Sequence, residues 1–135
     1  MNKRLLVEGI LVLAAFLLGF VPQYVKARQL QGQLDNARHE LADTHLRDLS
    51  ALAYVQAVQK NYGLAAETSG RFFTRVRQAA NEAGNDTRKA ALEGLMAPHD
   101  RVMEELAKAD PGVVTDLGDL YLKTRRATGT DAAQQ

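Results

Sequence analysis

Apolar positions in this chain follow two different patterns. From Leu5 to Val21, sixteen of seventeen residues are apolar or glycine, the exception being Glu8, so no face of that segment is polar. After Lys26 the apolar residues thin out and recur at steps of three and four, the period of an α-helix with one buried face. With Pro22, Tyr24 and Val25 the first segment reaches the roughly 20 residues that a helix needs to cross a hydrocarbon core. Lys3 and Arg4 precede it, and Lys26 and Arg28 follow it. Residues 1–26 are therefore expected to form a transmembrane helix. No later segment alternates with period two, so strands are not expected.

Leu30, Leu34, Ala37 and Leu41 step by four, three and four, which is a coiled-coil seam. His45 and Asp48 break its phase, and Leu46, Leu49, Leu52 and Val55 start a new stripe. Residues 27–46 read as a helical stem, and 47–127 as an α-helical hairpin bundle. The expected fold is all-α: a transmembrane helix, a short stem, then a small bundle of two αα-hairpins.

Within the bundle, Lys60-Asn61-Tyr62-Gly63 carries turn chemistry, and the small residues Ala65, Ala66 and Ser69 permit close approach of the helix before it. Phe72, Phe73 and Val76 follow. Residues 47–78 resemble a tetratricopeptide-type hairpin: a tyrosine at the turn, alanine three residues later, aromatics near the end of the second helix. The pattern departs from the repeat at Ala53, at Gln56 and in lacking a closing proline. The resemblance implies a packing geometry and a peptide-binding role.

Ala83-Gly84-Asn85-Asp86 is a helix stop followed by a start, with Asp86 the expected N-cap. Leu92, Leu95, Met96, His99, Val102, Met103 and Leu106 share one face across Pro98, and the preserved phase predicts one kinked helix. Pro111 suits the first turn of a last helix, whose stripe is Val113, Val114, Leu117, Leu120 and Tyr121 and whose end carries Lys123, Arg125 and Arg126. Residues 128–135 lack apolar partners and read as a disordered tail.

Removing Lys3, Arg4 and Glu8 from the chain's 17 basic and 16 acidic residues leaves 15 of each. A neutral domain of this kind argues against binding nucleic acid through its phosphates. The absence of cysteine removes disulfides, thiolate metal sites and covalent haem attachment. The first helix is longer than the apolar core of a signal peptide, and Tyr24 and Lys26 suit a cleavage site poorly, so a retained anchor is expected. A short basic N-terminus favours the cytoplasm, which puts the C-terminal domain on the outer, periplasmic side. Glu8 stands one turn from Arg4, where the two neutralise each other. Pro22-Gln23-Tyr24 after an apolar helix resembles the stem of type IV pilins, though Ala14 occupies a position where that family has glutamate. The resemblance implies an assembly subunit.

Candidate chemistry is sparse. His39-Glu40 opens like a HExxH zinc motif, but Asp43 stands in the second histidine's place and His45 falls on another face. Met96, His99 and Met103 share a helix face and could hold a soft metal, but they lie on the core stripe. No metal, cofactor or catalytic group is assigned, and an enzyme is not expected. Arg71, Arg75 and Arg77 form a basic run with no intervening acid. Together with Tyr62 and Phe73 they are the candidate interaction residues; Phe72 is assigned to the core, and Phe73 to a contact either with the stem helix, Leu46 to Leu52, or with a partner protein. The functional expectation is a membrane-anchored scaffold, adaptor or accessory subunit acting on other membrane proteins or on copies of itself. A periplasmic ligand-sensing bundle, similar to the four-helix domains of chemoreceptors, is the alternative; a metal-binding protein is a third.

Overall fold

The structure, a computed structural model, describes residues 3–129. Among them there are five helices and no strand: α1 (Lys3–Val58), α2 (Tyr62–Asn81), α3 (Asp86–Gly94), α4 (His99–Ala107) and α5 (Val113–Ala127). The fold is all-α. Its residues divide into two compact units, the first ending at Arg38 and the second beginning at His39.

In the first unit, α1 is long and apolar enough to cross a membrane. The large apolar side chains described from Leu6 to Val25 are half exposed or more, as befits a helix that is apolar all round. At its polar end Arg28 donates to the Tyr24 hydroxyl at 3.0 Å and lies over the ring, 4.9 Å from its centroid. Arg4 and Glu8 form no ion pair, contrary to expectation. Leu30 and Leu34 of the expected seam are uncovered.

The second unit has its own core. The end of α1 contributes Leu46, Leu49, Ala53 and Ala57, and α2 contributes Ala65, Phe72, Phe73, Val76, Ala79 and Ala80. Leu92, Leu95, Val102, Leu106, Val113, Leu117 and Leu120 complete it. α2 packs against α3 and α4, and α5 packs against both of those. The stripe expected from Leu46 to Val55 divides between two faces. Leu46 and Leu49 enter the core with Ala53, whereas Leu52 and Val55 are 45% exposed. Three-residue steps fall short of the helical repeat, so the stripe rotates out of the core within two turns.

Turns follow local chemistry. The α1–α2 turn and the α4–α5 turn end their helices alike. Asn61 N–H reaches the Gln56 carbonyl and Lys60 N–H that of Ala57; Asp110 and Ala109 do the same to Glu105 and Leu106. These are Schellman caps. Lys60 (φ 62°) and Ala109 (φ 53°) hold the left-handed position that glycine usually takes. Asn61 then caps α2, its side chain accepting from Leu64 N–H.

Two expected helix boundaries are corrected. The N-cap of α3 is Asn85, not Asp86: extended at φ −150°, ψ 160°, its side chain accepts from Arg88 N–H at 2.8 Å. The kinked helix is two helices. Pro98 has no N–H to continue the ladder, so Leu95, Met96 and His99 instead donate three residues back, to Leu92, Glu93 and Met96. α4 starts afresh when Val102 N–H bonds the Pro98 carbonyl. Of the expected tail, Thr128 is buried and donates its hydroxyl to the Thr124 carbonyl at 2.7 Å; residues 130–135 lie outside those described, as do Met1 and Asn2 at the start of the expected anchor.

Candidate functional site

Two of the three arginines singled out in the sequence meet in one place. Arg71 and Arg75, one turn apart on α2, line an open groove of about 510 Å³ with Glu67, Gly70 and Thr74 of the same helix and His45 and Leu49 of α1. Glu67, Arg71 and Arg75 lie at i, i+4 and i+8, a spacing that stacks them along one face. Leu49, almost fully buried, forms an apolar floor. Gly70 leaves the groove open beside it, since a Cβ there would meet nothing within 4 Å. Thr74 is occupied internally, donating its hydroxyl to the Gly70 carbonyl at 2.9 Å. Arg75 donates through Nη1 to Gln78 Oε1 at 3.2 Å, while Arg71 and Glu67 take no hydrogen bond or ion pair among the described residues. Arg77 does not line the groove. His45, Glu67 and Thr74 were missed from sequence. Glu67 was legible as the i−4 neighbour of Arg71; His45 was not, because it arrives from another helix.

The other expected interaction residues divide. Tyr62 is half-buried against the core at the start of α2. Phe73 is inside: it is 2% exposed, edge-on to Phe72 with centroids 5.2 Å apart and edge-on to His99 at 4.7 Å. Of the two contacts expected of Phe73, the one with a partner protein is thereby corrected: the ring belongs to the same core cluster as Leu46 and Leu49. α2 buries more than one stripe because it is covered on two sides, by α3 and by α4, so adjacent aromatics both find cover.

His99, packed on Phe73, has its Nδ1 2.7 Å from the exposed carboxylate of Asp100. Met96 and Met103 are partly buried against the core. Among the described residues no three His, Asp or Glu side chains are arranged to hold a metal ion.

One acidic pair lies at the α4–α5 contact. Arg101 grips Asp116 through two bonds, Nε to Oδ2 at 2.6 Å and Nη2 to Oδ1 at 2.7 Å. Glu105, one turn along α4, has a buried Oε2 without a partner. Burial first, then the charge of Asp116 and a hydrogen bond to it, raise the Glu105 carboxyl above the usual carboxylate value; Asp110 adds to this and Arg101 opposes it.

Comparison with protein-family models, with curated proteins and with solved structures gives no match.

Proposed function

We propose that this chain is a membrane-anchored helical adaptor or accessory subunit, its second unit recognising other proteins on the outer face of the membrane. The observation that carries the reading is an exposed apolar surface on the second unit. Leu52, Val55 and Val58 run along α1 at three-residue steps and are 45%, 45% and 51% exposed, and Leu64 on α2 is 44% exposed. Side chains of this kind repeated along one helix suit a protein contact better than water. The apolar first unit supports the anchor, and the basic Lys3 and Arg4 before it support an outward-facing domain. The hairpin formed by the end of α1 with α2 supports a packing of tetratricopeptide type.

The test is a paired Val55→Glu and Val58→Glu substitution in the full chain, followed by native electrophoresis of membranes solubilised in mild detergent. The adaptor reading expects a complex of defined size to collapse to the free chain while the melting temperature holds. An unchanged complex, or migration as the free chain before substitution, defeats it.

A further inference from the structure

The groove on α2 has a composition that an adaptor's contact surface does not need. Two guanidinium groups one turn apart stand about 5–6 Å from each other at their Cβ atoms, close enough to share one tetrahedral oxyanion. Each presents a planar fork matched to phosphate oxygens. Arg71 has all its donors open, and Arg75 commits one to Gln78. His45 lines the groove from α1. Opposing this positive set is one acid, Glu67, which also has no partner among the described residues. An anion alone would be repelled by it. An anion carrying a hydroxyl on its carbon skeleton would instead donate to it while its phosphate met the arginines. A cavity of about 510 Å³ is larger than bare phosphate requires, and Leu49 offers the carbon skeleton an apolar floor.

We propose that the groove bounded by His45, Glu67, Gly70, Arg71 and Arg75 binds a phosphorylated polyol, the phosphate held by Arg71 and Arg75 and a hydroxyl by Glu67. The phosphoglycerol unit is the simplest ligand of this chemistry. It occurs both as a free phosphorylated polyol and as a lipid headgroup. The site does not depend on the adaptor reading, since none of its residues belongs to the Leu52–Val58 surface.

The experiment is calorimetric titration of the full chain in phosphatidylcholine nanodiscs with glycerol 3-phosphate. Saturable binding with Kd near or below about 1 mM is expected. Arg71→Ala and Arg75→Ala should each weaken it about tenfold, the scale of a lost charge-assisted contact, while Arg77→Ala leaves it unchanged. Arg71→Lys, which keeps the charge and loses the fork, should fall between. Gly70→Leu should fill the groove and abolish binding with the helix intact, because its Cβ has open space. Inorganic phosphate should bind more weakly than glycerol 3-phosphate, and Glu67→Gln should narrow that difference. Phosphatidylglycerol in the nanodisc separates the sources: competition marks a headgroup, and undiminished binding marks a free polyol phosphate. Circular dichroism of each variant confirms folding. Absence of saturation below about 10 mM overturns the proposal, as does equal weakening by Arg77→Ala or equal affinity for inorganic phosphate.

Discussion

Arg88 and Asp43, 45 residues apart, close a two-bonded fork: Nη1 to Oδ2 at 2.9 Å and Nη2 to Oδ1 at 2.7 Å. Their side chains are only 19% and 13% exposed. The fork joins the first turn of α3 to α1, and it starts where Asn85 already holds the Arg88 backbone. One residue thus receives a cap on its amide and a counter-ion on its side chain. Such a fork sets the direction in which α3 leaves its turn.

Breaking that fork from one side leaves a charge with little water. Arg88→Ala should destabilise the second unit by about 3 kcal/mol, at the low end for a buried pair because some exposure remains. Asp43→Asn should cost less, since an amide is cheaper to leave unmatched than a carboxylate. Thermal unfolding of the full chain by circular dichroism measures both. The double variant should be more stable than the sum of the single losses predicts; simple additivity would mean that the two groups do not interact.

Phe72 and Phe73 are both core residues, at 1% and 2% exposure. Either one replaced by Ala should lower stability by about 3–5 kcal/mol, through lost burial and the cavity left behind. Phe73→Ala should also release the His99 ring from its edge contact, visible as a shift of the His99 imidazole resonances. Phe72→Ala should move them less. A Phe73→Ala variant that melts like the parent would return that ring to the surface.

Much of the architecture is legible in the residues. The switch from a solid apolar run to helical spacing near Lys26 marks where the surface of α1 changes along one continuous helix, Lys3–Val58. Asn61 and Gly84-Asn85 mark turns through their own backbone chemistry. Legibility ends where an outcome depends on several helices at once. The shared phase of Leu92 to Leu106 across Pro98 predicts one helix, because phase counts residues and not hydrogen bonds; a short run of three-residue bonds nearly preserves it. The Arg88–Asp43 fork and the groove that His45 shares with Arg71 and Arg75 involve residues distant in sequence, and no periodicity announces them. Arg71 and Arg75 were visible as a basic run, yet the run also contained Arg77, which the groove does not include.

Glu105 should make the second unit less stable as pH rises. Its carboxyl titrates higher in the folded chain than in the unfolded one, chiefly through burial. Between those two values the folded state binds the proton more tightly, so ionisation opposes folding. Its contribution is most favourable below the unfolded value and is lost as pH climbs through the folded one. Glu105→Gln keeps the hydrogen-bonding shape and removes the charge, and it should raise the melting temperature at neutral pH while leaving it little changed at pH about 4, near the unfolded carboxylate value. Equal effects at both pH values would show that the Glu105 charge is not what the contact opposes.

Lys60 and Ala109 each occupy the position after the C-cap of a Schellman motif, at φ 62° and φ 53°. A side chain there brings its Cβ against the following carbonyl, at about 1–2 kcal/mol. Glycine removes that clash but adds freedom to the unfolded chain, which offsets about 0.5–1 kcal/mol. Ala109→Gly should therefore stabilise the second unit by up to about 1 kcal/mol, since the exposed methyl it removes makes no buried contact. Lys60→Gly should do the same, and the two should add because the turns are independent. The double variant should melt several degrees above the parent. A lower melting temperature for Ala109→Gly would mean that the turn does not hold the left-handed conformation in solution, and the Schellman cap of α4 would have to be abandoned.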